Sequence, residues 1–163
     1  MGVLFDFLKG KKSSDPILSA YVDGTVVPME QIPDGVFSQG IMGACCGIEP
    51  ENGNIYAPAD GTVSQLTDTL HAVGLTVGNL ELLIHAGLDT VEMKGEGFTN
   101  VVREGQEVKK GDLLMTMDLQ KVRAAGYPAT VILAVTNSDE FAAVETEANG
   151  AVRVGDRLLR IRK

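Results

Sequence analysis

The sequence predicts an all-β protein, an antiparallel β-sandwich or barrel with internally duplicated halves and only short helical segments. Short apolar runs rich in β-branched residues are separated by turn residues, and 19 of the 163 residues are glycine. Apolar spacing typical of helices is confined to two short pieces. Two pairs of segments also repeat along the chain, which indicates two related halves.

Seven runs are predicted as strands because β-branched and other apolar residues cluster between turn residues. In chain order the strand candidates are GTVVPM (24–29), TVSQL (62–66), HAVGLTV (71–77), ELLIHAGL (81–88), LLMTM (113–117), TVILAVT (130–136) and RLLRIR (157–162). The two helical candidates are DLQKVRAAG (118–126) and DEFAAVETEA (139–148). The longest apolar stretch, ATVILAV (129–135), is too short to span a bilayer and is interpreted as a buried strand.

Two sequence echoes predict the internal duplication. Asp-Gly-Thr-Val occurs in VDGTVVPM (22–29) and again in ADGTVSQL (59–66). GQEVKKGDLLMTM (105–117) resembles GAVRVGDRLLRI (150–161) with one offset. Each copy of the second echo places Gly-Asp before a pair of leucines, which suits a turn that leads into a strand. We therefore expect two related halves packed as one sandwich.

The chain length suits one domain with a short N-terminal tail. We expect residues 1–16 to form an amphipathic or flexible tail and residues 17–163 to form the domain. The segment MGVLFDFLKGKK (1–12) could lie weakly on an anionic membrane surface or remain disordered, and the sequence favours neither alternative. It lacks the basic-then-apolar order of a secretory signal, so a cytoplasmic location is expected.

The charge of the chain limits the classes of partner. The net charge is −8, from 22 acidic and 14 basic side chains. Nucleic-acid binding is not expected, because its electrostatic footprint would be basic. The acidity suits a basic protein partner, although acidity that only maintains solubility explains the composition equally well.

The two cysteines, Cys45 and Cys46, are adjacent in sequence. Neighbouring residues rarely form a disulfide, and two thiols alone do not make a structural zinc site. They are predicted to be small buried apolar residues. A redox role is the alternative, and the sequence offers no support for it.

Only His71 and His85 are available for histidine chemistry, and they flank a predicted hairpin turn at Gly78-Asn79. A three-residue loop over 77–79 would place the two histidines directly opposite each other on one face of the sheet. A two-residue loop would pair His71 with Ala86 and direct the histidines to opposite faces. The sequence leaves this register open.

The two histidines suit two kinds of chemistry. The first is zinc binding, in which Asp89 could join His71 and His85 as a ligand. The zinc endopeptidases with a duplicated β architecture need a further His-x-His pair, which the chain lacks, so no metal or cofactor is predicted.

The second is phosphoryl transfer, in which a neutral imidazole can attack phosphorus while a second imidazole donates a hydrogen bond to the phosphoryl oxygens. Thr69 lies on the same strand face as His71 and could fix its tautomer.

The segment LLIHAGLDTVEMKGEGF (82–98), followed by VREGQEVKKGDLL (102–114), resembles the signature of the glucose-type IIA component of the bacterial sugar phosphotransferase system. The resemblance continues through YAPADGTV (56–63) and ATVILAVTNSDE (129–140) and covers roughly residues 18–163. One departure is GACCG (43–47), where many relatives read Gly-Asp-Gly.

The resemblance implies a phosphotransferase component that carries a phosphoryl group on Nε2 of His85. The group would come from the phosphocarrier HPr and pass to a cysteine of a IIB domain during sugar uptake. His71 would stabilise the phosphoryl group, Thr69 would hydrogen-bond His71, and Asp89 would shape the site or meet basic groups of a partner. The residues that match the family's apolar docking patch are Val36, Phe37, Leu83 and Val91.

Two further functions remain alternatives. The first is a regulatory protein that binds permeases or metabolic enzymes in its unphosphorylated form, as the resemblance also implies, and the two roles can coexist. The second and weaker alternative is a zinc-dependent hydrolase. The sugar is not predicted, because sugar recognition in this system belongs to a separate membrane domain.

Overall fold

The computed structural model describes residues 15–163, and fourteen strands lie within that range. In chain order the strands are β1 (Ile17–Ser19), β2 (Gly24–Val27), β3 (Ala44–Pro50), β4 (Asn54–Tyr56), β5 (Gly61–Leu66), β6 (Ala72–Val77), β7 (Leu80–Ala86), β8 (Phe98–Asn100), β9 (Glu107–Val108), β10 (Leu113–Met117), β11 (Val131–Val135), β12 (Ala143–Thr146), β13 (Ala151–Val152) and β14 (Arg157–Arg162). The predicted amphipathic segment 1–12 lies outside the described residues. Within the described range, no helix has the length and apolar character needed to cross a membrane.

The strands form three antiparallel sheets, which confirms the predicted all-β class. The largest has eight strands in the order β13-β2-β3-β11-β7-β6-β5-β9. The two smaller sheets have three strands each, in the orders β1-β14-β12 and β4-β10-β8. All seven runs predicted as strands overlap an observed strand.

Of the two predicted helices, one forms and the other does not. Helix α1 spans Leu119–Ala124, and the side chain of Asp118 caps it by accepting a hydrogen bond from the Lys121 N–H at 3.1 Å. The helix predicted over 139–148 is wrong: this segment contains most of a single 3₁₀ turn at Ser138–Glu140 and then strand β12. Pairing with β14 outweighs the local helical spacing here, because β12 gains backbone hydrogen bonds and the 2.8 Å ion pair between Glu145 and Arg162.

The predicted internal duplication is confirmed by matching hydrogen bonds in the two halves. In one half, the Asp23 carboxylate accepts a hydrogen bond from the Val154 N–H at 2.8 Å. In the other, Asp60 accepts from the Lys110 N–H, also at 2.8 Å. The two small sheets correspond in the same way, since β1 and β4 occupy equivalent edges beside β14 and β10. The repeated Asp-Gly-Thr-Val segment therefore has the same structural role twice.

The glycine of each repeat allows another strand to approach closely. A Cβ atom on Gly24 would lie 2.1 Å from the Glu49 carbonyl oxygen, and one on Gly61 would lie 2.5 Å from that of Thr76. Both distances are far shorter than a carbon–oxygen contact allows. A larger residue at either position would force the paired strands apart.

Side chains alternate across β7 and separate two apolar clusters. Leu82, Ile84 and Ala86 face the main core between the sheets. Leu83 and His85 face the other side of the large sheet, where a smaller cluster lies. The buried members of this outer cluster are Ile32, Phe37, Cys45, Leu88, Ile132 and Ala134.

Candidate functional site

His85 projects from the outer face of β7, near the middle of the eight-stranded sheet. Its neighbours across the sheet are Ala72 on β6 and Ile132 on β11. The Phe37 ring, from the 3₁₀ turn Phe37–Gln39, lies over this face with its centroid 5.1 Å from that of His85. The imidazole is thus set against apolar side chains on a rigid sheet, with limited exposure to water.

One hydrogen bond defines which nitrogen of His85 is free to react. Its Nδ1 lies 2.7 Å from the carbonyl oxygen of Gly87. Because a carbonyl oxygen only accepts, Nδ1 must carry the proton and donate it. In the neutral ring, Nε2 then holds the unshared electron pair. The turn after β7 therefore presents Nε2 as the nucleophilic atom.

The second histidine meets the first edge to face. The ring centroids of His71 and His85 are 4.7 Å apart, with an interplanar angle of 81°. His71 itself is only 6% exposed. The structure thus brings together the only two histidines of the chain.

The hairpin register that the structure adopts is the two-residue one. Val77 pairs with Leu80, Ala72 pairs with His85, and the Ala86 N–H donates to the His71 carbonyl at 2.8 Å. The three-residue alternative is wrong, and so is the expectation that a two-residue loop separates the rings. His71 precedes β6, in a bend that follows Leu70 at a φ of 64°. Outside the pleat of the strand, its side chain need not follow the strand's alternation.

Thr69 lies beside His71, but the expectation that they share a strand face is wrong, because Thr69 lies in a turn and His71 in a bend, both before β6. Its hydroxyl oxygen is 2.7 Å from Nδ1 of His71. A hydroxyl can donate or accept, so this bond orients the ring and ties its Nδ1 to one partner. The other nitrogen of His71, Nε2, is then the one left to act on a ligand.

Burial lowers the pKa of both histidines. For His85, burial is the largest cause and the nearby His71 adds to it, so the pKa falls from 6.5 to about 4, although the Gly87 carbonyl, Asp34 and Asp89 oppose the shift. Burial also lowers the pKa of His71. Both rings are therefore neutral at pH 7, which leaves Nε2 of His85 unprotonated.

We expect the His85 imidazole to titrate in nuclear magnetic resonance spectra with a midpoint of about 4, compared with 6.5 for an unperturbed histidine. In the variant His71→Ala this midpoint should rise, because the charge of His71 contributes to the shift. A midpoint near 6.5 in the native protein would contradict the burial argument.

The same shifts set the direction of a stability change with pH. Because both folded-state pKa values lie below 6.5, the unfolded chain binds more protons as the pH falls from 6.5 towards 4. The histidine contribution to the free energy of unfolding is therefore fully present above pH 6.5 and decreases through that window.

A shallow depression of about 260 Å³ opens beside His85 and is lined by all four predicted patch residues, Val36, Phe37, Leu83 and Val91. Val36 and Val91 are 43% and 45% exposed, which is high for valine side chains next to a buried cluster. Phe37 is buried and Leu83 half-buried beneath them. We call these four residues the apolar patch.

Asp89, the remaining predicted site residue, lies at the edge of the same depression. Its backbone has a φ of 63°, in the left-handed region that few residues other than glycine adopt, and it precedes the 3₁₀ turn Thr90–Met93. Asparagine and aspartate tolerate this conformation better than most residues. The carboxylate is therefore placed by a specific backbone turn.

Three further residues line the depression that were not assigned to the site from the sequence: Asp34, Met42 and Leu88. Asp34 accepts a hydrogen bond from the Ser38 N–H at 3.1 Å and adds a second negative charge beside His85. The sequence Pro-Asp-Gly at 33–35 signals a turn, yet no local signal relates it to residue 85. Folding alone brings these segments together.

The adjacent cysteines point to opposite sides of β3. Cys46 is fully buried in the main core, whereas Cys45 belongs to the outer cluster and its thiol lies 3.4 Å from the Phe37 carbonyl. Burial raises the pKa of Cys45 to about 11 and that of Cys46 to about 12. Both are free thiols, which confirms the prediction of small buried residues.

A metal site beside the histidines would need a set of ligand side chains of the kind that holds metal ions in proteins. Within residues 15–163, no group of three or more His, Cys, Asp or Glu side chains comes together in a way that could hold a metal ion. The site instead combines one imidazole whose Nδ1 is hydrogen-bonded, a second imidazole in contact with it and two nearby carboxylates.

Comparison with known proteins places this arrangement in a family. Residues 17–141 match the family described as phosphoenolpyruvate-dependent sugar phosphotransferase system, EIIA 1. Over 146 residues the chain is 41% identical to the glucose-specific EIIA component of Halalkalibacterium halodurans, which covers 89% of this chain and 84% of that protein. The solved structure of glucose permease IIA from Mycoplasma capricolum superposes with a TM-score of 0.78 at 29% identity, covering 90% of this chain and 96% of that one.

Other relatives are much longer than this chain. The glucose-specific EIICBA component of Streptococcus pneumoniae is 47% identical over 131 residues, which is 80% of this chain and 18% of that protein. The chain spans about a fifth of the length of relatives of this kind. The family match extends through both histidines and the apolar patch, and the fold agrees with a solved IIA structure. The chain therefore belongs to the EIIA 1 family of the phosphoenolpyruvate-dependent sugar phosphotransferase system.

Proposed function

We propose that this protein is a cytoplasmic phosphoryl carrier of a sugar phosphotransferase system, with residues 17–163 as its IIA domain. His85 accepts a phosphoryl group on Nε2 from phospho-HPr and passes it to a cysteine of a IIB domain. The observation that carries the proposal is the hydrogen bond from Nδ1 of His85 to the Gly87 carbonyl, since it leaves Nε2 free to attack. The family membership supports the reaction class.

The transfer requires little of the protein beyond positioning and charge stabilisation. The electron pair of Nε2 attacks phosphorus, and the donor's bond to phosphorus breaks with its electron pair returning to the donor. Nδ1 keeps its proton throughout and donates it in the hydrogen bond to the Gly87 carbonyl. In the second step the IIB thiolate attacks phosphorus, and the electron pair of the Nε2–P bond returns to His85.

In this proposal, His71 stabilises the phosphoryl group. Its ring is in contact with that of His85, so an N–H at Nε2 of His71 can reach oxygens on a phosphoryl group bound to His85. Thr69 supports this role when its hydroxyl donates to Nδ1 of His71, because that bond selects the tautomer with the proton on Nε2.

The apolar patch and the two carboxylates indicate which kind of partner surface would bind beside His85. Exposed Val36 and Val91 offer apolar contact, while Asp34 and Asp89 beside them favour basic groups. HPr and a IIB domain would therefore use the same face in turn. Permeases or metabolic enzymes regulated by the unphosphorylated form would also dock there, because a charged phosphoryl group disfavours apolar contact.

The direct test is to incubate the purified protein with phosphoenolpyruvate, enzyme I and HPr and to measure its mass. We expect the addition of one phosphoryl group, and its removal when a IIB domain is added. Nitrogen chemical shifts of the phosphorylated protein should place phosphorus on Nε2 of His85. An unchanged mass in the complete mixture would refute the proposal.

A further inference from the structure

Thr90 connects the turn after β7 to the reactive histidine. Its side chain is fully buried, and its hydroxyl donates to the Ala86 carbonyl at 2.6 Å. Ala86 lies between His85 and Gly87, whose carbonyl orients the imidazole. The hydroxyl therefore acts on the backbone within one residue of the hydrogen bond that selects the reactive nitrogen.

The methyl group of Thr90 packs against the same turn. Gly87 has a φ of 80°, and a Cβ atom there would lie 2.4 Å from Cγ2 of Thr90. The threonine side chain thus occupies the space that the glycine leaves. Together the hydroxyl and the methyl group hold the Ala86–Gly87 segment from one side.

Backbone hydrogen bonds hold the segment from the other sides. The Gly87 N–H donates to the Thr130 carbonyl at 2.9 Å, and the Leu88 N–H donates to the Pro128 carbonyl at 3.0 Å. Each of these bonds joins two parts of the main chain, so side-chain substitution preserves them. The bond from Thr90, in contrast, comes from a side chain, so a substitution of Thr90 can remove it.

We propose that Thr90 is a positioning residue for phosphoryl transfer: its buried hydroxyl holds the Ala86–Gly87 peptide so that the Gly87 carbonyl meets Nδ1–H of His85. Without the Thr90 hydroxyl, the Gly87 carbonyl can rotate away from Nδ1 and the His85 ring can take the other tautomer. That tautomer carries the proton on Nε2 and cannot attack phosphorus. This role rests on the proposed function of His85, while its structural effect can be measured in the unphosphorylated protein.

The variant Thr90→Val removes the hydroxyl and keeps the shape of the side chain. We expect nitrogen chemical shifts of His85 to show an increased fraction of the tautomer protonated on Nε2. Phosphoryl acceptance from phospho-HPr should slow by about tenfold, the effect of one lost hydrogen bond. Thr90→Ser retains a hydroxyl and should keep the tautomer of the native protein.

The matched control is Thr130→Val. Thr130 is also buried, but its hydroxyl donates to the Glu49 carboxylate at 2.9 Å and not to the turn. This variant also loses the hydroxyl hydrogen bond of a buried threonine, but one that does not act on the turn, so it should lower the Tm without moving the His85 tautomer. If Thr90→Val does not fold, Thr90→Ala removes the hydroxyl and the methyl group together, and comparison with Thr90→Ser, which lacks only the methyl group, isolates the effect of the hydroxyl on the tautomer.

A purely structural role for Thr90 predicts another pattern. In that case the Thr90 variant would have a lower Tm with an unchanged tautomer ratio and an unchanged rate of phosphoryl acceptance, which would overturn the inference. Failure of the native protein to become phosphorylated would instead refute the proposed function. The tautomer measurement would still decide the role of Thr90.

Discussion

Replacing His85 with alanine is expected to abolish phosphorylation of the protein by phosphoenolpyruvate, enzyme I and HPr. The substitution removes the only imidazole whose Nδ1 is held by the Gly87 carbonyl and whose Nε2 is therefore free to attack. No added phosphoryl group should be detected in the mass spectrum, whereas the native protein should gain one. Because a missing nucleophile is not replaced by binding energy, the loss should be complete.

Two controls separate loss of the nucleophile from loss of the fold. His85 faces the outer side of the sheet and lies outside the main core, so the far-ultraviolet circular dichroism spectrum of His85→Ala should match that of the native protein. His71→Ala removes the other histidine of the pair and should still accept one phosphoryl group. Survival of the mass increase in His85→Ala would place the acceptor elsewhere.

In His71→Ala, we expect phosphoryl transfer onward to a IIB domain to slow by about 100-fold, the usual effect of removing one hydrogen-bond donor to a developing charge. Acceptance from phospho-HPr should persist, because Nε2 of His85 remains free and Nδ1 remains bonded to Gly87. The measurement is the rate at which phosphorylated protein loses its phosphoryl group to an added IIB domain.

The variant His71→Gln tests the physical reason for this effect. Its side-chain amide can still donate an N–H, although its reach and geometry differ from those of imidazole. It should therefore transfer faster than His71→Ala and slower than the native protein. Normal onward transfer in His71→Ala would show that the second imidazole does not stabilise the phosphoryl group.

The contrast between two segments shows how far local pattern predicts this fold. The central five residues of TVILAVT (130–136) are all apolar and form β11, which is buried between β3 and β7 in the middle of the large sheet. DEFAAVETEA at 139–148 has helical spacing, yet it forms β12 because β14 offers it a pairing edge. Local spacing predicts an element correctly only where pairing and packing with neighbouring elements favour the same structure.

The candidate site shows the same division. Two lines of sequence reasoning named the candidate residues: the signature at 82–98 pointed to His85 and Asp89, and the predicted hairpin and the wider resemblance pointed to His71 and Thr69. The structure brings these four residues together. The sequence left the hairpin register open, and strand alternation predicted that the observed two-residue register would separate the two rings. The rings are nevertheless in contact, because the bend at Leu70 and His71 lies outside the strand, where side chains need not alternate between the two faces of the sheet.

By itself, the sequence determined the all-β class, the repeated Asp-Gly-Thr-Val units and the residue types available for chemistry. These follow from side-chain alternation, turn residues and glycine at close contacts, which are local properties. Only the tertiary structure decided that Asp34 lies beside His85, that burial lowers the pKa of His85 to about 4, and that the Gly87 carbonyl accepts the hydrogen bond from Nδ1 of His85. Each of these depends on groups brought together by strand pairing and packing, and the dielectric environment of a side chain exists only after the chain has folded.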